Sequence, residues 1–427
     1  MDLLLVTMGS TGDVHPFLGL GQALRARGHR VVVLTYPAFA PLVESAGLEF
    51  ACLPRPPREA PGSAGVRRLL DSLMKAIGRR WRKLARQSTI VPMLRPVYEA
   101  IRRRAVPGRT VVLAHHQALG ARIAHDHFGT PLITIHLSPI GLRSANHPPL
   151  QPPLRFPSWT PPWFVRAVYW MLDVLVIDRV LGKAVNGLRR DLGLPPVRRL
   201  CGAWKDSPQG AIGLFPDWFG PPQPDWPPHT RVTGFPLFDG GDQGPLDPAL
   251  HQFLDGPRPV VLTAMSEMRH NQRFFQQGVA ACSLLGRRGL LLTRFREQVP
   301  EPLPTDFFWR EYAPFSQVLP HAAVLVHHGG IGTAARALAA GVPQLVVPIK
   351  NDQFDNARRL ERLGVALVLH QGSCTAAAMA RHLDRLLASA EIAERCRELA
   401  ARLRSADGAG EACALIEALH HASERAA

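Results

Sequence analysis

The chain has 427 residues, 46% of them apolar, and carries 50 Lys and Arg against 34 Asp and Glu, a formal net charge of +16. At roughly 150 residues per domain this length suggests two or three domains. The apolar content excludes a disordered chain, and a core of this size needs neither disulfides nor a structural metal. The positive excess calls for an anionic partner, such as nucleic acid, an acidic membrane or a phosphorylated or carboxylated substrate.

The first predicted element is a strand over Leu3–Met8. It runs into the turn Gly9-Ser10-Thr11-Gly12, a helix over Phe17–Arg27 closed by Gly28, and a second strand over Val31–Thr35. Because no basic segment precedes it, the N-terminus reads as a strand and not as a secretory signal. Residues 55–109 then hold fifteen Lys and Arg against three Asp and Glu, most of the net charge. Within them Val66–Ile77 has helical spacing, followed by Arg79, Arg80, Trp81, Arg82, Lys83 and Arg86. A solvated helical insertion and a surface that meets anionic lipid or an anionic acceptor are both open readings. Nucleic acid is not expected as a partner, since no binding motif accompanies the charge.

Further strands are expected at Thr110–Ala114 and Leu132–Ile135, with a helix near Ala118–Phe128 between them. Such alternation argues for an α/β chain with a parallel sheet covered on both faces. A proline-rich loop over 145–165 carries Trp159 and Trp163 and feeds a helix at Phe164–Leu181. The Pro- and Gly-rich stretch 216–248 is expected to be the domain linker. A second alternating set follows, with strands at Val260–Thr263, Leu290–Leu292, Val324–Val326 and Gln344–Val347 and helices at 376–388, 390–404 and 409–422. Two doubly wound halves place a ligand in the cleft between them, at strand C-termini. The expected division is 1–215, linker 216–248, and 249–427 with its C-terminal helices.

The strongest motif spans 327–356: His327-His328-Gly329-Gly330-Ile331-Gly332-Thr333, then Gly341-Val342-Pro343-Gln344, then Asp352-Gln353-Phe354-Asp355-Asn356. A buried strand, a glycine turn and the start of a helix aim backbone N–H groups at an anion, for which phosphate is suited. His328 is placed to donate to a phosphate oxygen. An adjacent carboxylate and amide, Asp352 and Gln353, can grip vicinal sugar hydroxyls; a helix cap and a surface residue are the bland alternatives.

This block resembles the donor-binding signature of family 1 glycosyltransferases, which have the GT-B fold of two facing Rossmann-like domains. Met8–Phe17 resembles the acceptor-domain loop of the bacterial, sterol and macrolide members. The stretch from Ser207 to Gly240, with Phe215-Pro216-Asp217-Trp218-Phe219 and Thr233-Gly234-Phe235-Pro236, is similar to the rhamnosyltransferase catalytic subunit of rhamnolipid biosynthesis. The resemblance implies a hexose transferase acting on a nucleoside-diphosphate sugar and a hydrophobic acceptor, plausibly a 3-hydroxyacyl lipid, with inversion and without a metal. It implies that His328 and the amides near Gly330, Gly332 and Thr333 hold the diphosphate. Tyr312 would stack on the base, Asp352 and Gln353 would bind sugar hydroxyls, and Ser266 would lie on the donor side. Gly12, His15 and Trp159 would line the acceptor side.

Transfer needs a base for the acceptor hydroxyl. The family places a histidine or an aspartate in the N-terminal glycine loop. Asp13 falls on that position, and His15 is the second candidate. Asp13 as an N-cap, and His15 as a wall residue, are the structural alternatives. Two places depart from the family pattern: Thr263-Ala264-Met265-Ser266, where relatives have a glycine turn, and Leu292-Thr293-Arg294-Phe295-Arg296, where Arg294 or Arg296 would contact phosphate. They keep open a binding protein that has lost catalysis, beside a nucleotide-sugar epimerase of related fold. The histidine pairs His115-His116, His125/His127 and His420-His421 read as surface or core residues. The six scattered cysteines form no CxxC pattern and suit a cytosolic protein, with the basic insertion as its contact with the inner membrane face.

Overall fold

The computed structural model describes residues 1–54, 90–152, 154–238, 240, 244–265 and 268–426. The basic stretch 55–89 and the donor-side Ser266 lie outside these described residues.

Two wholly parallel sheets organise the chain. The first contains β1 (Asp2–Val6), β2 (Arg30–Thr35), β3 (Glu49–Cys52), β4 (Thr110–His115), β5 (Leu132–His136), β6 (Ala211–Gly213) and β7 (Thr230–Val232), in the order β3-β2-β1-β4-β5-β6-β7. The second contains β8 (Val260–Thr263), β9 (Gly289–Leu292), β10 (Phe307–Arg310), β11 (Val324–His327), β12 (Gln344–Val346) and β13 (Ala366–Val368), ordered β10-β9-β8-β11-β12-β13. The central strands β4 and β8 are buried along their whole length. Helices cover both faces, which is why these strands read as unbroken apolar runs rather than alternating ones.

Three local differences from the sequence expectation matter for function. The first helix covers Thr11–Ala26, starting six residues before the expected Phe17. Ser10, not Asp13, is its N-cap, and Asp13 occupies the third helical position, where its carboxylate accepts from the Ser10 N–H at 2.7 Å and the Ser10 hydroxyl at 2.9 Å. This reciprocal arrangement satisfies a donor that the helix start would otherwise leave unpaired. Pro16 then sits inside the helix and offers no N–H to the Gly12 carbonyl. Secondly, β7 lies within the stretch expected as a linker and completes the first sheet, pairing Ala211–Gly213 with Thr230–Val232. Thirdly, helix Gly408–Ala426 packs against Thr11–Ala26 of the first domain, and Glu417 binds Arg27 at 2.7 Å and His29 at 2.8 Å. Gly234 and Gly408 touch backbone to backbone at this crossing; a Cβ on Gly408 would lie 2.3 Å from the Gly234 Cα.

One apolar cluster runs through both domains, from Leu3, Phe17 and Phe238 to Ile331, Leu338, Leu360 and Ile416. Asp13, just past the end of β1, lies close enough to Asp352, past the end of β12, for its charge to act on it, so a cleft between the domains opens at these strand ends.

Candidate active site between the two domains

β11 delivers His327 and His328 to the cleft, and helix Ile331–Ala340 starts immediately after, with Gly330 as its N-cap. The turn is possible because Gly329 takes φ +88 and because a Cβ there would lie 2.9 Å from Val346. A Cβ on Gly330 would lie 2.6 Å from the His328 Nε2, whereas the space beside Gly332 is open. Buried His327 accepts from the Gly329 N–H at Nδ1 (3.2 Å), which fixes Nε2–H as donor to the Gln344 Oε1 at 3.0 Å. His327 thus shapes the turn from behind, and His328 faces the cleft. Burial, with Lys350 beside it, pushes the His328 pKa down to about 4, so its ring is neutral near pH 7. Among the described residues the His328 Nδ1 is buried without a hydrogen-bond partner.

Asp352 precedes helix Gln353–Arg362 and accepts from the Asn356 Nδ2 at 2.8 Å, while the same amide donates to the Gly329 carbonyl at 3.0 Å. Burial, reinforced by the negative charge of Asp13 across the cleft, raises the Asp352 pKa to about 7. Gln353 is committed locally: its Oε1 accepts from the N–H groups of Ile349 and Lys350, both at 2.9 Å, and its Nε2 meets the Met265 sulfur at 3.2 Å. Met265, at the departure from the family turn, is therefore the floor on which the Gln353 amide rests. Arg296 pairs with Glu301 and lies over Trp309, and Arg294 lies over Phe295. Tyr312 is half exposed.

On the opposite wall stand Asp13 and His15, two residues apart in the first turns of helix Thr11–Ala26. His15 packs edge-on against Phe238 at 5.4 Å. Behind Asp13 lies a buried polar group that the sequence reading assigned no role. His115 and His116 are 4.3 Å apart between ring centres, and His116 stacks on His136 at 5.0 Å. The His136 Nε2 meets Asp206 at 2.9 Å, and Asp206 also takes the Lys205 ammonium at 2.9 Å. Burial lowers all three histidines, His115 to about 4. Burial alone would raise Asp206, but Lys205 and His136 outweigh it and hold the carboxyl well below its ordinary range. Of the pairs expected at the surface or in the core, His115 and His420 are buried; His136, outside those pairs, is fully buried. The sequence separation of His115, His116 and His136 from Asp206 hid the cluster. Among the described residues, no group of three His, Cys, Asp or Glu is arranged to hold a metal ion.

A cavity of about 180 Å³ opens beside this wall, lined by Arg143, Gln151, Tyr169, Leu172 and Val176 among others. Trp159, expected on the acceptor side, is not among its lining residues and is 80% exposed. Tyr169 is an aromatic that lines this cavity. Arg143 donates to buried Asp173 at 2.6 Å and lies over the Tyr169 ring.

The domains are locked by a second set of residues that the sequence did not reveal. Fully buried Asp355 pairs with Arg358 at 2.9 Å and Arg359 at 2.6 Å and accepts the Leu150 N–H at 2.7 Å. Arg358 reaches the Pro148 carbonyl and Arg359 the Phe219 carbonyl. A helix of the second domain is thereby stitched to two loops of the first.

Comparison with known proteins agrees with this geometry. Residues 3–145 match the glycosyltransferase family 28 N-terminal domain, and residues 293–419 match the C-terminal domain of the erythromycin biosynthesis protein CIII-like family. The chain is 33% identical to an O-mycaminosyltylonolide 6-deoxyallosyltransferase of Streptomyces fradiae, over 98% of this chain and 97% of that protein. It is 28% identical to a terpene cyclase–glycosyl transferase fusion protein of Humicola fuscoatra over 97% of this chain, but spans only 34% of that longer protein. A sterol 3-beta-glucosyltransferase of Arabidopsis thaliana is 26% identical over 98% of this chain and 68% of its own length. Among solved structures, a glycosyltransferase of kitacinnamycin superposes with a TM-score of 0.72 at 23% identity, and the glycosyltransferase VinC in complex with dTDP with 0.69 at 18%; each covers at least 98% of both chains. These relatives include macrolide and sterol glycosyltransferases, and the rhamnolipid enzyme expected from the stretch 207–240 is not among them. The chain belongs to the family 1 GT-B glycosyltransferases and is a nucleotide-sugar-dependent transferase.

Proposed function

We propose that this enzyme transfers a hexose of the rhamnose or glucose type, with inversion, from a nucleoside-diphosphate sugar to a hydroxyl of a hydrophobic acceptor. The observation that carries this reading is the opposition of Asp13 to His328 and Asp352 across one cleft. Asp13 takes the acceptor proton as the acceptor oxygen attacks the anomeric carbon. The departing diphosphate is held by the N-terminus of helix Ile331–Ala340, through the N–H groups near Gly330, Gly332 and Thr333, and by the ring of His328. Asp352 grips a sugar hydroxyl. Gln353 keeps only its Nε2 for that purpose, since its Oε1 holds the 349–350 loop. Tyr312 offers a ring face to the base.

The acceptor side favours a hydrophobic molecule, because Ile140, Leu154, Leu172, Val176 and Ile177 line the cavity beside three polar side chains, Arg143, Gln151 and Tyr169. The names of the relatives extend the acceptor class from hydroxyacyl chains to macrolide and sterol rings. The test mixes the enzyme with dTDP-rhamnose, other dTDP-6-deoxyhexoses and UDP-glucose against a macrolide aglycone, a sterol and a 3-hydroxyalkanoyl acceptor. A glycoside of inverted anomeric configuration is expected. Donor isomerisation without an acceptor identifies an epimerase, and donor binding without turnover identifies a protein that has lost catalysis.

A further inference from the structure

Helix Pro162–Leu172 carries an apolar stripe on its outer side. Trp163 and Phe164 recur one heptad later as Trp170 and Met171, and Leu175 extends the row into the π-helical turn Asp173–Ile177. All five are exposed, Trp163 at 67% and Trp170 at 54%, and Trp159 in the preceding loop stands at 80%. The inner side of the same segment has its own partners: Val165 is buried, and Tyr169, Leu172, Val176 and Ile177 line the acceptor-side cavity. A helix whose larger aromatics face outwards exposes more apolar surface than a soluble monomer commonly leaves uncovered.

Charge tells what the stripe fits. Arg155, Arg166, Arg179 and Lys183 are exposed around it. Between residues 151 and 190 there are two carboxylates, and both are occupied: Asp173 is buried against Arg143, and Asp178 accepts the N–H groups of Arg199 and Leu200. Tryptophan rings ringed by arginine suit the interface of a bilayer, where the ring sits at headgroup depth and the cation meets phosphate. A second copy fits worse, because a two-fold contact would set these cations against their own images.

We propose that helix Pro162–Leu172, with Trp159, docks the enzyme on an anionic membrane surface. Docked so, the inner face of the helix holds the acceptor cavity one helix diameter from the lipid, a consequence that rests on the hydrophobic-acceptor reading; the docking itself does not. Binding is therefore measured without donor or acceptor, so that its failure is separable from failure of the transfer assay. The full chain is floated with vesicles of phosphatidylcholine alone and with vesicles containing a third phosphatidylglycerol. Wild type should float with the anionic vesicles only. Trp163→Ser with Trp170→Ser should lower the partition coefficient at least about tenfold, and Arg166→Glu with Arg179→Glu should remove the preference for phosphatidylglycerol. All four positions are exposed, so a circular dichroism melt within about 2 °C of wild type is expected and checks folding. Residues 55–89 are unchanged in every variant, so their charge cancels in the comparison. A wild type that stays at the bottom with both vesicles overturns the proposal. So do variants that float as wild type does, or a concentration-dependent dimer in sedimentation that the tryptophan substitutions abolish.

Discussion

The two walls of the cleft are built differently. The donor wall is contiguous: β11, the His328–Gly330 turn and helix Ile331–Ala340 follow one another in the chain, and each group is held by a near neighbour, as Gly329 holds His327 and Asn356 holds both Asp352 and Gly329. The acceptor wall is assembled from afar. Asp13 stands in front of histidines from β4 and β5, which rest on Asp206 from beyond the 162–191 helices. Short-range construction gives a rigid anion cradle that can be written as one motif. Long-range construction gives a wall that can be re-lined without disturbing the cradle, which suits a fold that keeps its donor chemistry while its acceptor changes.

The largest effect expected from breaking this asymmetry is at Asp13. Asp13→Asn retains an oxygen for the Ser10 N–H and so keeps the helix start, but removes the proposed base. The expected loss in kcat is about 10²–10⁴-fold, with donor affinity by calorimetry unchanged. If His15 is instead the base, His15→Gln shows that loss and Asp13→Asn does not. Next comes Asp355, which belongs to neither wall but holds both in register. Asp355→Ala leaves the buried Arg359 guanidinium and the partly exposed Arg358 one without their carboxylate, and should cost about 3–5 kcal/mol in urea unfolding. Recovery of most of that stability by Asp355→Ala with Arg359→Met would confirm that the loss is uncompensated charge.

The legibility of the molecule follows the same division. Strands β1, β2, β4, β5, β8, β9, β11 and β12 were readable because each is a buried apolar run. Strands β3, β6, β7, β10 and β13, short and at or beside a sheet edge, were not, since their pairing comes from neighbours and not from their own composition. The early start of the first helix is hidden because Gly9-Ser10-Thr11-Gly12 reads as a turn, although Ser10 and Asp13 three apart spell a cap. His328 and Asp352 were visible in one motif. The His115–His116–His136–Asp206 cluster was not, since nothing in a linear sequence says which strand end faces which loop. The apolar stripe at 163–175 had helical spacing, but spacing alone does not say that the stripe faces outwards.

A smaller effect is expected at His328, within the rigid wall. Its ring is neutral in the free enzyme, at a pKa of about 4. A bound diphosphate favours the charged ring and so raises that pKa. Donor should therefore bind more tightly as pH falls from 8 to 6, with proton uptake measurable in buffers of different ionisation heat. His328→Ala should weaken donor binding about 10–100-fold and abolish the uptake. A pH-independent affinity in wild type would show that the neutral ring alone serves the phosphate.

The subtlest test reads the two walls against each other. Asp352 has its pKa raised from 3.8 to about 7 by burial and then by Asp13. Below pH 3.8 the carboxyl is protonated in both folded and unfolded chains, and it contributes no pH dependence. As pH rises towards 7, the unfolded chain releases this proton while the folded one retains it, so the folded state loses ground until its own pKa is passed. Asp352→Asn removes that penalty and still accepts from the Asn356 amide. Its melting temperature should equal wild type near pH 4 and exceed it by about 2 °C or more at pH 8. In an Asp13→Asn background the advantage at pH 8 should shrink, because one of the two causes is gone; the non-additivity measures the electrostatic coupling between the walls. Equal shifts in both backgrounds would leave burial as the whole cause and the two carboxylates electrostatically independent.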